Sequence, residues 1–214
     1  MSNATAVRPK SASGIGDRVL LAVALLVGLG FVIGFVFPYF RLTPEALGPY
    51  VAKRVWILMH IIGGSIALIL GPFILGSGLR RTRMQLHRKI GMAYMVSGGF
   101  SSVAAFYLAA HTEVNWVFGM GLSGLAIAWS TTTGLAYISI KKRLITQHKE
   151  WMIRSYVTTF GFVSFRILVG VLTVANVGTL IDRLTAASWF CWAFPLLLTE
   201  LILQGKKVFS GSLS

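Results

Sequence analysis

Three histidines and one arginine carry the chemistry this sequence offers. His60 and Arg166 fall inside apolar runs, and His87 and His148 fall at the ends of others. An ionisable side chain in a membrane span is unfavourable, so each of these needs a partner or a task. A neutral imidazole is an axial ligand for haem iron. An arginine beside it would clamp an acidic group, such as a haem propionate or a substrate carboxylate.

At 100° per residue, Gly64, Ala67 and Gly71 share the face of His60. Two readings of that face stand side by side. A groove of small residues accommodates a flat macrocycle such as haem b with His60 as axial ligand. Equally, small residues let helices pack closely, with His60 bonded to a neighbouring helix. His87 continues into Gly91, Tyr94 and Gly98, and His148 into Met152, Ser155 and Thr159. Arg166 lies about five turns beyond His148, at the same azimuth on an unbroken helix.

Depth limits the metal models. His60 lies near one membrane surface and His87 and His148 near the other, roughly 20 Å away along the normal. Ligand bonds are about 2 Å long, so one metal cannot engage all three. Two separate haem sites remain, His87 with His148 and His60 with His111. The second pair is strained, because His111 is about 120° from the azimuth of His87 and sits at the surface. Glu200 is expected to pair with Arg154 or Lys206, the other reading being a proton relay. Ser130, Thr131, Thr132 and Thr133 are expected to back-bond to their own helix. Cys191, the single cysteine, excludes an intrachain disulfide and reads as a buried thiol.

The elements that must position these groups are membrane helices. Of 214 residues, 55% are hydrophobic and only 12% charged, with a mean hydropathy of +0.74. A soluble domain carries about 25% charged residues, so that class is excluded. Six apolar runs stand out: Val19–Phe37, Val55–Leu75, Ile90–Ala110, Trp116–Ile140, Trp151–Ala175 and Ala186–Gln204. Each is long enough to cross a hydrocarbon core of about 30 Å as a helix and too uniformly apolar for a barrel strand. The expectation is an all-α, polytopic six-transmembrane-helix bundle. A disordered tail over residues 1–18 precedes the membrane domain at 19–204, and a short tail follows at 205–214. Glycines and alanines in the fourth run suit a central position, and Trp116, Trp151 and Trp189 suit aromatic belts.

The net charge of +14 reads as topology rather than as nucleic-acid binding. Fifteen basic residues fall in the two tails, at Arg80–Lys89 and at Lys141–Arg154, against four at Arg41, Lys53, Arg54 and Arg183. The positive-inside bias places both termini in the cytoplasm. The Arg80–Lys89 cluster also suits anionic lipid head groups. The first run is too long for a signal-peptide core and reads as an uncleaved anchor. No nucleotide-binding glycine loop, zinc spacing or serine-nucleophile elbow is present.

Ordered motifs carry a resemblance. Met59-His60-Ile61-Ile62-Gly63-Gly64 leads through Gly71-Pro72 to Leu86-His87-Arg88-Lys89-Ile90-Gly91-Met92-Ala93-Tyr94. Trp129-Ser130-Thr131-Thr132, His148-Lys149-Glu150-Trp151-Met152-Ile153-Arg154-Ser155 and Arg166 follow. Together, across residues 55 to 175, these resemble a predicted bacterial membrane-protein family, domain-of-unknown-function family 2306. The resemblance implies a multi-pass inner-membrane protein without an assigned activity. The histidine placement is also distantly similar to transmembrane b-type haem cytochromes. Two functions follow as expectations. The first is haem b binding and electron transfer, with His60, His87 and His148 as ligands, Arg166 as clamp, and a membrane redox partner or quinone. The second is a non-enzymatic carrier or accessory subunit. Homo-oligomerisation would be compatible with either.

Overall fold

The structure, a computed structural model, describes residues 14–80 and 83–209. The segments 1–13 and 210–214 of the expected tails, and Arg81 of the basic cluster, lie outside the described residues. Every regular element among the described residues is helical. The α-helices are α1 (Ile15–Phe31), α2 (Pro44–Leu47), α3 (Arg54–Arg80), α4 (Met84–Ala110), α5 (Trp116–Lys141), α6 (Ile145–Thr159), α7 (Gly161–Val174) and α8 (Leu180–Phe209). α1 starts at Ile15 rather than Val19, and α8 runs past Gln204 into the sequence assigned to the tail.

Among the described residues, four helical stretches are long and apolar enough to cross a bilayer: Ile15–Arg41, Pro44–Gly78, Met84–Ala110 and Leu180–Phe209. The bent pair α6–α7 supplies a fifth when taken as one span. α5 has the length, with 26 residues, but not the apolarity. Its place in the bundle explains the difference. α5 packs against α4, α6 and α8 and buries Trp129, Thr132, Thr133 and Ser139. A helix shielded by neighbours can carry hydroxyls that a lipid-facing helix cannot.

α3 and α4 share the most extensive interface, and glycine makes it possible. A Cβ on Gly63 would stand 2.5 Å from the Ser97 carbonyl oxygen, so the two backbones touch there. α1 is peripheral: it packs on α3 and leaves most of its apolar side chains exposed. Val32–Val36 continues it as a π-helical segment and Phe37–Arg41 as 3-10 helix.

The fifth run is not one straight helix. α6 and α7 meet at Phe160 with a 40° bend. Thr158 and Thr159 donate to the carbonyls of Arg154 and Ser155 within the last turn of α6. Hydroxyl competition for helix carbonyls bends helices. Gly161 then lets α7 lie against Leu125, which a Cβ would meet at 3.1 Å. The shared azimuth expected for His148 and Arg166 is therefore overturned.

The centre of the bundle is a chain of hydroxyls. Thr133 bonds Ser155 at 2.7 Å, Ser155 bonds Tyr94 at 2.8 Å, and Tyr94 bonds Thr159 at 2.8 Å. The chain ties α4, α5 and α6 where no water competes for their polar groups. Ser130 and Thr132 back-bond as expected, to the Ala126 and Ala128 carbonyls. Cys191 is buried and unoxidised.

Candidate functional site

A cavity of about 220 Å³ opens in the half of the bundle away from the two described chain ends. α1, α3, α5 and α7 contribute its walls, and its polar groups include His60, Lys53 and Arg166. Trp129 and Thr159 border it near the bundle centre, so the hydroxyl chain ends at the cavity.

Packing against α4 fixes His60. The Ser101 hydroxyl donates to the His60 carbonyl at 2.8 Å. The Ser101 carbonyl can only accept, so His60 Nδ1 carries the proton and donates to it at 3.1 Å. Nε2 is thereby the ring's acceptor and has no partner among the described residues. The Phe162 ring stands edge-on at 4.6 Å. His60 is thus both packed, as the close-packing reading expects, and available to a ligand.

The small-residue face below His60 is filled by protein. A Cβ at Gly71 would meet the Tyr156 ring at 2.0 Å, and Ala67 is wholly buried. Only Gly64 of that face borders the cavity.

The 40° bend brings Arg166 to the same cavity. Its guanidinium carbon lies 5.6 Å from the centre of the Phe35 ring, within cation–π range. Among the described residues it has neither a hydrogen bond nor an ion pair. The other cation, Lys53, is neutralised by Glu113 at 3.0 Å and also donates to the His111 carbonyl. The expected pairing of His60 with His111 does not form. His111 is exposed and stacks on Tyr107 at 4.2 Å, and Tyr107 in turn stacks on Trp56 at 4.1 Å.

At the opposite end the structure brings His87 and His148 together. Their ring centres are 6.5 Å apart and their planes 82° from parallel. His148 donates from Nδ1 to the Ala136 carbonyl at 2.8 Å. Ser77 gives its proton to the Ile74 carbonyl and so accepts from His87 Nδ1 at 2.9 Å. Both Nε2 atoms are left as lone-pair donors, the arrangement in which second-shell bonds orient imidazole ligands. The described residues contain no group of three or more His, Cys, Asp or Glu placed to hold a metal ion, so a cofactor here would have to bring its other donors.

Sequence reasoning found one pair of a polar cluster between α6 and α8 and missed the rest. Arg154 bonds Glu200 at 2.6 Å, the expected pairing, and also lies 3.6 Å from Glu150, which Lys207 reaches at 2.8 Å. The spacing of Glu150 and Arg154 on one helix face was a visible signal. The bond from Lys207 on α8 to Glu150 was not, being set by packing.

A helical bundle with four or five candidate membrane spans, an apolar cavity at one end and a histidine pair at the other defines a polytopic membrane protein. The chain belongs to the predicted membrane protein family DUF2306, whose model matches residues 57–203. No curated protein and no solved structure matches it.

Proposed function

We propose that this chain is a membrane protein that binds a small, largely apolar molecule in the cavity beside His60, as a carrier or accessory subunit. In this reading α5 is a sixth span and both termini face the cytoplasm of a bacterial inner membrane, as the basic residues favour. The observation that carries the reading is the cavity itself: about 220 Å³ of apolar-walled space beside an imidazole whose Nε2 has no partner among the described residues. Binding sites combine apolar walls with a few placed polar groups in this way.

Native mass spectrometry tests it. The wild type released from mild detergent should retain a bound small molecule. Gly64→Phe should not, because a Cβ at Gly64 meets only Ser101 Oγ, at 3.5 Å, and a larger side chain there enters the cavity. Identical spectra for the two proteins would overturn the reading.

The His87–His148 pair favours a second reading, haem b held between these residues for electron transfer. The 6.5 Å between ring centres is close to two axial bonds of about 2 Å plus the two ring radii. The haem would supply one-electron redox chemistry. The chain would supply two imidazoles held in one tautomer by Ala136 and Ser77.

A further inference from the structure

Arg166 stands apart from Arg154, the other arginine of the bent pair. Arg154 is buried and held by two carboxylates, whereas Arg166 is exposed at the rim of the cavity and, among the described residues, has only the Phe35 ring beside it. It lies about 12 Å below the end of α7. A charge at that depth without a counter-ion is unfavourable, and the cavity offers no free carboxylate, since Glu113 is bonded to Lys53. The missing partner is therefore an anion from outside the chain.

The seam beside Arg166 shows how that anion would arrive. α1 packs on α3 but has no comparable interface with α7. Phe35, on the α1 side of the seam, belongs to the π-helical segment and is 50% exposed. Such segments recur at functional sites. Phe31 and Phe35, stacked at 5.5 Å, and Phe162 and Leu125 on the other elements give the cavity an apolar lining.

Building on the cavity reading above, we infer that the ligand is a single-chain amphiphile with an anionic head, a carboxylate or a phosphate ester. It enters from the bilayer between α1 and α7. The head pairs with Arg166, whose planar fork matches either anion, and the chain lies towards Trp129. At about 30 Å³ per water-sized group, the cavity of about 220 Å³ takes a chain of about seven carbons.

The experiment uses the full chain in phosphatidylcholine nanodiscs, with isothermal titration of octanoate, octyl phosphate and octanol, each corrected against empty nanodiscs. Wild type should bind one of the anions at least about 10-fold tighter than octanol. Arg166→Gln should lose that preference and Arg166→Lys should keep most of it, with the thermal midpoints of both variants confirming folding. The ranking of octanoate against octyl phosphate identifies the head group. Equal affinity for all three probes, unchanged in Arg166→Gln, would overturn the anionic assignment and leave the cavity as an apolar site. No binding of any probe would overturn both.

Discussion

The imidazoles of His87 and His148 stand 6.5 Å apart, each with Nδ1 hydrogen-bonded and Nε2 open. They lie ten residues after Ser77 and twelve after Ala136, so α3 and α5 orient rings that α4 and α6 carry. If this pair holds haem, protein purified in mild detergent after expression with ample haem will show a sharp reduced band on adding dithionite. His148→Ala should abolish the band and His111→Ala should leave it intact. A featureless wild-type spectrum would remove the haem reading and leave the cavity reading standing.

The contact between α3 and α4 predicts opposite outcomes for two glycines. At Gly63 a methyl would meet a backbone carbonyl, which cannot move without separating the helices. Gly63→Ala should destabilise by about 1–3 kcal/mol, the usual range for overpacking. Gly134 has nothing within 4 Å of an added Cβ, so Gly134→Ala should be neutral or stabilise by up to about 1 kcal/mol. Thermal unfolding in detergent reads both, and an equal loss at the two positions would contradict the packing argument.

The hydroxyl chain is held by direct bonds, and its strength can be measured. A double-mutant cycle with Tyr94→Phe and Ser155→Ala should return a coupling of about 0.6 kcal/mol, and no more than about 1.7 kcal/mol, as for other hydrogen bonds within bilayers. The value stays small because Ser155 keeps Thr133 and Thr159 keeps the Ser155 carbonyl when the phenol is gone. A coupling near zero would mean that the 2.8 Å contact contributes nothing beyond packing.

The two ion-pair clusters should differ sharply. Arg154 is 8% exposed at its side chain, and removing it takes one of two cations from the largely buried Glu150, which keeps Lys207. Arg154→Met should cost about 3 kcal/mol, the low end for a broken buried pair because Glu200 reaches solvent. Lys53→Met, whose partner Glu113 is 71% exposed, should cost no more than about 1 kcal/mol and vary with salt. Chemical denaturation at two ionic strengths separates the cases, and comparable losses would refute the contrast.

Much of the architecture was legible in the chain because the relevant signals are local. Mean hydropathy and the six apolar runs gave an all-helical membrane protein, and Ser130 and Thr132 bond where the sequence places them. Glycines and alanines marked α5 as central, and it is. Its shortfall in apolarity follows from the same placement, since shielded positions are free to carry hydroxyls.

What the sequence could not decide is what depends on the angle between elements. Helical counting assumes an unbroken rod, and hydroxyl bonding around Thr158 and Thr159 together with Gly161 breaks the rod at Phe160. That one bend sends Arg166 to the cavity instead of the His148 face. Tyr156 filling the groove at Gly71, and Ser101 fixing the tautomer of His60, are likewise contacts between segments far apart in the chain. The sequence by itself determined which segments are helical and which residues carry charge, since backbone hydrogen bonding and transfer from water act on each segment alone. Only the tertiary structure decided which of those residues meet, because that depends on how side chains of different helices interlock.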